Sequence, residues 1–167
     1  MRITRTDVVA GIIAGLVCFG VLLNLPVWAI FIGWGWYTAL GSEVSVFKKA
    51  IPAMFVGYIM SAISILAYTA SSDNVFVLVF VVGITVFFQM LTLKNKTFSC
   101  ALASFNGYSC LFAVYSAGTF PMLSTSMLWD FNNVLIALLW TGLANTLGLA
   151  CGYISVKLST GSYKDNH

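Results

Sequence analysis

Charge is what this sequence has least of. Only 8 of its 167 residues are Lys or Arg and 5 are Asp or Glu, 8% in all, where a soluble domain carries roughly 25%. So few charges could not cover a water-facing surface. With 60% hydrophobic residues and a mean hydropathy of +0.95, the chain must have lipid as its solvent. Histidine is nearly absent as well, the single copy being the terminal His167. No acidic or basic side chain falls within the apolar stretches. General acid–base catalysis needs a titratable group, and proton-coupled transport usually shows an intramembrane Asp, Glu or His. An enzyme is therefore not expected, nor is a proton-driven pump, although sodium coupling through backbone carbonyls stays open. The four cysteines, Cys18, Cys100, Cys110 and Cys151, lie in apolar surroundings without C-x-x-C or Cys/His spacing. That excludes a disulfide framework or a metal site as the basis of the fold, and no cofactor is expected. The net charge of +3 is scattered in pairs and does not point to nucleic acid.

Arg2 and Arg5 ahead of the apolar run Val8 to Leu23 resemble the start of a signal peptide. No small-x-small cleavage site follows, and Leu16-Val17-Cys18 lacks the small residue of a lipoprotein box, so an uncleaved first span is expected. Charge-free stretches run from Val8 to Ser42, Ala50 to Ser72, Asn74 to Leu93, Thr97 to Trp129 and Phe131 to Val156. A span takes roughly 20 residues, so the second, third and fifth stretches are single helices. The first is too long for one, and Asn24-Leu25-Pro26 divides it. The fourth holds a helix from about Phe98 to Ala117 and then a turn-rich loop, Gly118 to Trp129, with Pro121. The expected fold is all-α and polytopic, a single domain over 1–160. Its six spans lie at about 7–24, 27–41, 50–70, 74–93, 98–118 and 131–156, with a cytoplasmic tail over 159–167.

The basic residues orient it. Six spans place all eight, Arg2, Arg5, Lys48, Lys49, Lys94, Lys96, Lys157 and Lys164, on one side. The opposite loops carry only Asp73 and Asp130. A five- or seven-span reading would spoil that separation. By the positive-inside rule both termini are cytoplasmic.

Small residues mark helix-packing faces: Gly11 and Gly15 on the first span, Gly57 with Ser61 on the third, and Ala144, Gly148 and Gly152 on the sixth. The polar groups left in the membrane are neutral: Thr38, Ser61, Ser64, Thr85, Gln89, Ser104, Asn106, Ser109, Thr141 and Asn145. A buried amide without a partner costs roughly 2–7 kcal/mol, so Asn106 and Asn145 face protein or water. For Asn145 the plain reading is an interhelical hydrogen bond. Gln89, near the cytoplasmic end, is expected to reach the headgroups. The pattern Phe-x-Gly-aromatic occurs three times: Phe31-Ile32-Gly33-Trp34, Phe55-Val56-Gly57-Tyr58 and Phe105-Asn106-Gly107-Tyr108. Such a glycine admits another backbone or a ligand. Two copies sit in the second and fifth spans, the short or broken ones. This suggests two inverted three-helix repeats with a transport site at their interface; the third copy, in the third span, weakens that reading. The solute-path candidates are Phe31, Gly33, Trp34, Tyr37, Thr38, Phe105, Asn106, Gly107, Tyr108 and Asn145. Ring packing and membrane-interface anchoring are the plain alternatives.

Trp28-Ala29-x-Phe31-x-Gly33 followed by Tyr37, then Phe105-x-Gly107 and a small-residue-rich last helix ending at Lys157, carry a resemblance. Over roughly Val8 to Lys157 the chain resembles the YcdZ-like bacterial inner-membrane family, known as domain of unknown function 1097. The resemblance implies a small multi-pass protein of the bacterial inner membrane, and brings no activity and no functional residues. The residues themselves point to a channel or facilitator for a small neutral or weakly charged solute, working as a homo-oligomer, a dimer or trimer. The alternative is a non-transporting scaffold that binds a partner protein or lipid.

Overall fold

The computed structural model describes residues 3–117 and 129–160. Arg2, the loop with Pro121, Lys164 and His167 lie outside the described residues. Six α-helices follow in order, and no strand occurs among the described residues: α1 (Arg5–Cys18), α2 (Val27–Ala39), α3 (Ser45–Ala70), α4 (Val75–Thr92), α5 (Ala101–Ala117) and α6 (Phe131–Thr160).

Local chemistry sets the boundaries. Thr4 and Asp7 form a capping box at the start of α1, satisfying amides that have no partner inside the helix. The helix tightens to a 3-10 turn over Phe19–Leu23, and the left-handed Asn24 (φ 55°) ends it two residues before Pro26. Gly41 at φ 100° turns the chain between α2 and α3. The Asn74 side chain accepts from Phe76 N to cap α4, and Asp130 accepts from Asn133 N to begin α6.

Four helical segments are long and apolar enough to cross a membrane: Arg5–Leu23, Ser45–Ala70, Val75–Thr92 and Phe131–Ser159. The protein is therefore helical and membrane-like. At 13 and 17 residues, α2 and α5 fall short; at 1.5 Å per residue they extend about 20 and 25 Å, against a hydrocarbon core of about 30 Å.

The chain divides into two compact units, Met1–Phe47 with Ala144–His167, and Lys48–Leu143. In the first, α2 meets the second half of α6. A methyl group on Gly33 would strike the Asn145 carbonyl, and one on Gly148 the Ile30 carbonyl. In the second unit, α3 meets α5 in the same way: Gly57 lies against the Ser104 carbonyl and Gly107 against that of Met54. In all four helices the glycine stands three residues after the carbonyl that receives the partner glycine. One reciprocal contact is thus built twice, α2 matching α5 and α6 matching α3.

The burial pattern follows the same match. Every buried residue of α2 (Ala29, Ile30, Gly33, Trp36, Tyr37) has a buried counterpart in α5 (Ala103, Ser104, Gly107, Cys110, Leu111). Along α3, Ala50, Ala53, Met54, Gly57, Tyr58, Ser61 and Ser64 correspond to the buried Thr141, Ala144, Asn145, Gly148, Leu149, Gly152 and Ser155 of α6. Glycine at each crossing lets the backbones approach closely enough for dispersion and Cα–H···O contacts to hold helices that lipid does not push together. By contrast, α1 buries none of its residues and α4 buries only Thr85 and Gln89.

Candidate functional site

The glycines of the three Phe-x-Gly-aromatic motifs are helix-crossing points. Gly33, Gly57 and Gly107 each face the backbone of a neighbouring helix, with no room there for a side chain or a solute. The third copy, in α3, is half of the crossing whose other half is the copy in α5.

The remaining sequence candidates scatter. Phe31 and Phe105 are each 40% exposed, and Phe31 stacks on Trp34 at 6.3 Å. Thr38 is exposed, its hydroxyl bonded back to Trp34 O of its own helix at 3.3 Å. Tyr37 is buried in the first unit, where its hydroxyl donates to Ser42 O at 2.7 Å and its ring packs on Phe47, Tyr153 and Gly152. Asn145 is wholly buried and donates to Ala29 O at 2.7 Å, locking α6 to α2 beside the Gly33 crossing. Asn106 is half-buried. Gly11 and Gly15 on α1 face open space, whereas Ala144, Gly148 and Gly152 lie inside the first unit.

Of these candidates Tyr108 alone enters a polar cluster. In the second unit its hydroxyl lies 2.9 Å from Ser64 Oγ and 3.1 Å from Thr85 Oγ1, which are themselves 2.8 Å apart. The three oxygens form a triangle contributed by α3, α4 and α5. Four residues further along α4, Gln89 donates from Nε2 to Ser104 Oγ on α5 at 2.9 Å. Ser61, Ser64, Gln89 and Ser104 have no exposed surface, and Thr85 is 3% exposed. Two atoms here are buried without any partner, Ser61 Oγ and Gln89 Oε1. Groups left so in a low-dielectric interior cost about 1–3 kcal/mol each.

Gln89 is thus the residue that sequence reading misplaced. It does not reach the headgroups; it is fully buried against α5. The available signal was spacing: Thr85 and Gln89 are four apart on a helix otherwise almost wholly apolar, as Ser104 and Tyr108 are on α5, so each pair shares one face.

An aromatic ladder leads away from the triangle. The Tyr108 ring stacks on Phe112 at 5.3 Å, Phe112 meets Tyr115, and Tyr115 packs edge-on against Trp129 at 5.0 Å and Tyr68 at 6.2 Å. At its end Tyr115 donates to the Asp73 carboxylate at 3.4 Å. A groove of about 320 Å³ lined by Leu78, Val82, Tyr108, Ser109 and Phe112 runs beside the ladder. A wider one along α4, lined by Val79, Phe80, Gly83, Ile84, Phe87 and Phe88, is apolar. Among the described residues no group of His, Cys, Asp and Glu could hold a metal.

A model of one protein family, described as a protein of unknown function (DUF1097), matches residues 7–160, nearly the whole chain. No curated protein and no solved structure matches it.

Proposed function

We propose that this chain, which belongs to the DUF1097 family, is a passive facilitator for a small uncharged solute in the bacterial inner membrane. In this reading it catalyses no reaction. The chain crosses six times with both termini cytoplasmic, and α1–α3 and α4–α6 are inverted repeats. The odd number of spans in each half requires the inversion, and the doubled glycine crossing supports the repeat.

One observation carries the reading. At three equivalent positions the second unit is polar where the first is not: Ser104 corresponds to Ile30, Tyr108 to Trp34 and Ser61 to Gly152, while Ser64 has a serine counterpart in Ser155 and Asn145 of the first unit corresponds to Met54. The first unit forms the same crossing without these groups, so the crossing does not require them. Polar groups that packing does not require, clustered in a membrane helix bundle with two of their atoms unpaired, support a solute path here. From Asp73 the ladder reaches the hydroxyl triangle near the middle of α4 and α5, and Gln89 and Ser104 lie toward the cytoplasmic ends of those helices. A homo-oligomer, a dimer or trimer, belongs to the same reading. The open Gly11–Gly15 face is a surface such an assembly would use.

The test is flux. Full-length protein in proteoliposomes is expected to speed entry of at least one small neutral solute, by stopped-flow light scattering, and Thr85→Val to abolish most of the gain. Permeability equal to that of empty liposomes across a panel of water, ammonia, urea, formamide and glycerol would sink the reading. The scaffold alternative rests on the backbone-tight crossings and the apolar groove along α4, and predicts that flat result together with a co-purifying partner.

A further inference from the structure

The polar file in the second unit has a hydrogen-bonding sense. The triangle of Ser64, Thr85 and Tyr108 contains three hydroxyl protons. Within reach of them are three oxygen–oxygen contacts of 2.8–3.1 Å and the carbonyls of Met60, Val81 and Val82 at 3.0–3.2 Å. Two arrangements use the protons well. In one they circulate around the ring; in the other Ser64 and Thr85 donate to their own helices and Tyr108 donates to one of them. In both, every proton is committed inside the protein, and at least one oxygen keeps a lone pair to spare. The triangle therefore offers acceptors and no free donor.

Gln89 continues the pattern. Its amide donates to Ser104 and leaves Oε1 buried and unpaired. With the amide placed so that Nε2 donates to Ser104, the carbonyl is left free together with one N–H; turned over, both N–H groups would be left instead. The second Gln89 N–H can serve an acceptor atom on the guest, and Ser61, also fully buried, leaves its hydroxyl without a partner.

We infer that the solute accepted here is a small neutral molecule that must carry a hydrogen-bond donor, of the ammonia, urea or primary amide class. An acceptor-only molecule of equal size finds no partner at the triangle unless a bond already made is broken. A site built to bond such a group discriminates strongly against analogues that lack it. The inference deepens the facilitator reading and rests on it for the passage of a solute.

Urea entry into proteoliposomes holding the full chain is measured by stopped-flow, with formamide or acetone at equal concentration on both sides. Formamide at about twice its own binding constant is expected to slow urea entry about threefold, as simple competition requires, while acetone leaves it unchanged. Equal inhibition by both overturns the donor requirement and leaves facilitation standing. If none of the probes is conducted, the facilitator reading fails, and the donor preference is then decided without transport. The infrared band of the Gln89 side-chain carbonyl, identified by its loss in Gln89→Leu, is followed in the full-length protein in lipid. A shift to lower wavenumber with methanol but not with acetonitrile upholds the preference. No shift with either, or the same shift with both, overturns it.

Discussion

Replacing Gly57 by Ala tests the doubled crossing. The new methyl would land on the Ser104 carbonyl, with Tyr108 N 2.8 Å away. Both are backbone atoms of α5, so no side chain can swing aside, and α3 and α5 must part by roughly 1 Å to restore normal contact. Overpacking of this kind costs about 1–3 kcal/mol. The separation also stretches the Ser64–Tyr108 bond across the same interface, now 2.9 Å, worth about 0.6 kcal/mol in a membrane bundle. A loss of about 2–3.5 kcal/mol is expected for Gly57→Ala. A similar loss is expected for Gly148→Ala, whose methyl would meet the Ile30 carbonyl with Trp34 N at 2.8 Å. Gly83→Ala is the control: nothing lies within 4 Å of its added methyl, and the better helix propensity of Ala makes it neutral or stabilising by up to about 1 kcal/mol. Unfolding in mixed micelles with rising SDS, followed by helical circular dichroism, ranks the three. Gly57→Ala or Gly148→Ala matching Gly83→Ala would refute the crossing as the contact that holds each unit.

Gln89→Leu removes one bond to Ser104 and one unpaired buried carbonyl. Stability should be unchanged or raised by about 1 kcal/mol in the same SDS titration, while solute flux falls about threefold or more. Trp36→Phe removes a buried indole N–H that has no partner, so the protein should tolerate it with a change within about 1 kcal/mol and no loss of flux. The six-span orientation is checked by impermeant maleimide labelling of intact cells carrying single cysteines in a background without the native four. Asn74→Cys should label from outside and Lys96→Cys only after lysis; the reverse pattern would overturn the side assigned to the termini, and labelling of both from the same side would overturn the crossing by α4.

The helices were legible because charge and proline punctuate an otherwise apolar chain. Asn24-Leu25-Pro26 ends the first helical run, and the Lys94–Lys96 pair separates α4 from α5. The glycines were legible as close-approach points, but the partner of each was not. Gly33 meets Gly148, which sits in Thr146-Leu147-Gly148-Leu149 and shares no aromatic pattern with it. Spacing along one helix names a face, and only the tertiary arrangement says which other helix covers it. The polar file was harder still. Single Ser and Thr residues bond back to their own helix at little cost, as Thr38 does, so a hydroxyl in a span carries almost no information about where it points. Asn106 drew attention by its motif, whereas Thr85 and Gln89 lie on a helix that looks like a plain lipid-facing span.

The two units separate what this architecture needs from what it does not. Both have the glycine pair, a buried alanine one turn earlier on each helix of the crossing (Ala29 and Ala144, Ala103 and Ala53), and the same alternation of buried and exposed positions. Neither unit's own flanking groups are required for the contact, since the other unit makes it without them. What differs is chemistry at the flanks: an Asn145 amide bonded to a backbone carbonyl in the first unit, and hydroxyls and an amide bonded mostly to one another in the second. The first arrangement ends on a carbonyl that accepts and can do nothing else. The second is a set of rotatable groups that can exchange partners, with Ser61 Oγ and Gln89 Oε1 still open, as Trp36 Nε1 is in the first unit. In a bilayer, where an unmatched polar group is costly, exchangeable partners let a small guest move from one group to the next without leaving any of them bare. A fixed bond to backbone cannot do that. On the proposed reading, the first unit holds its helices together, and the second lets a small solute pass between them.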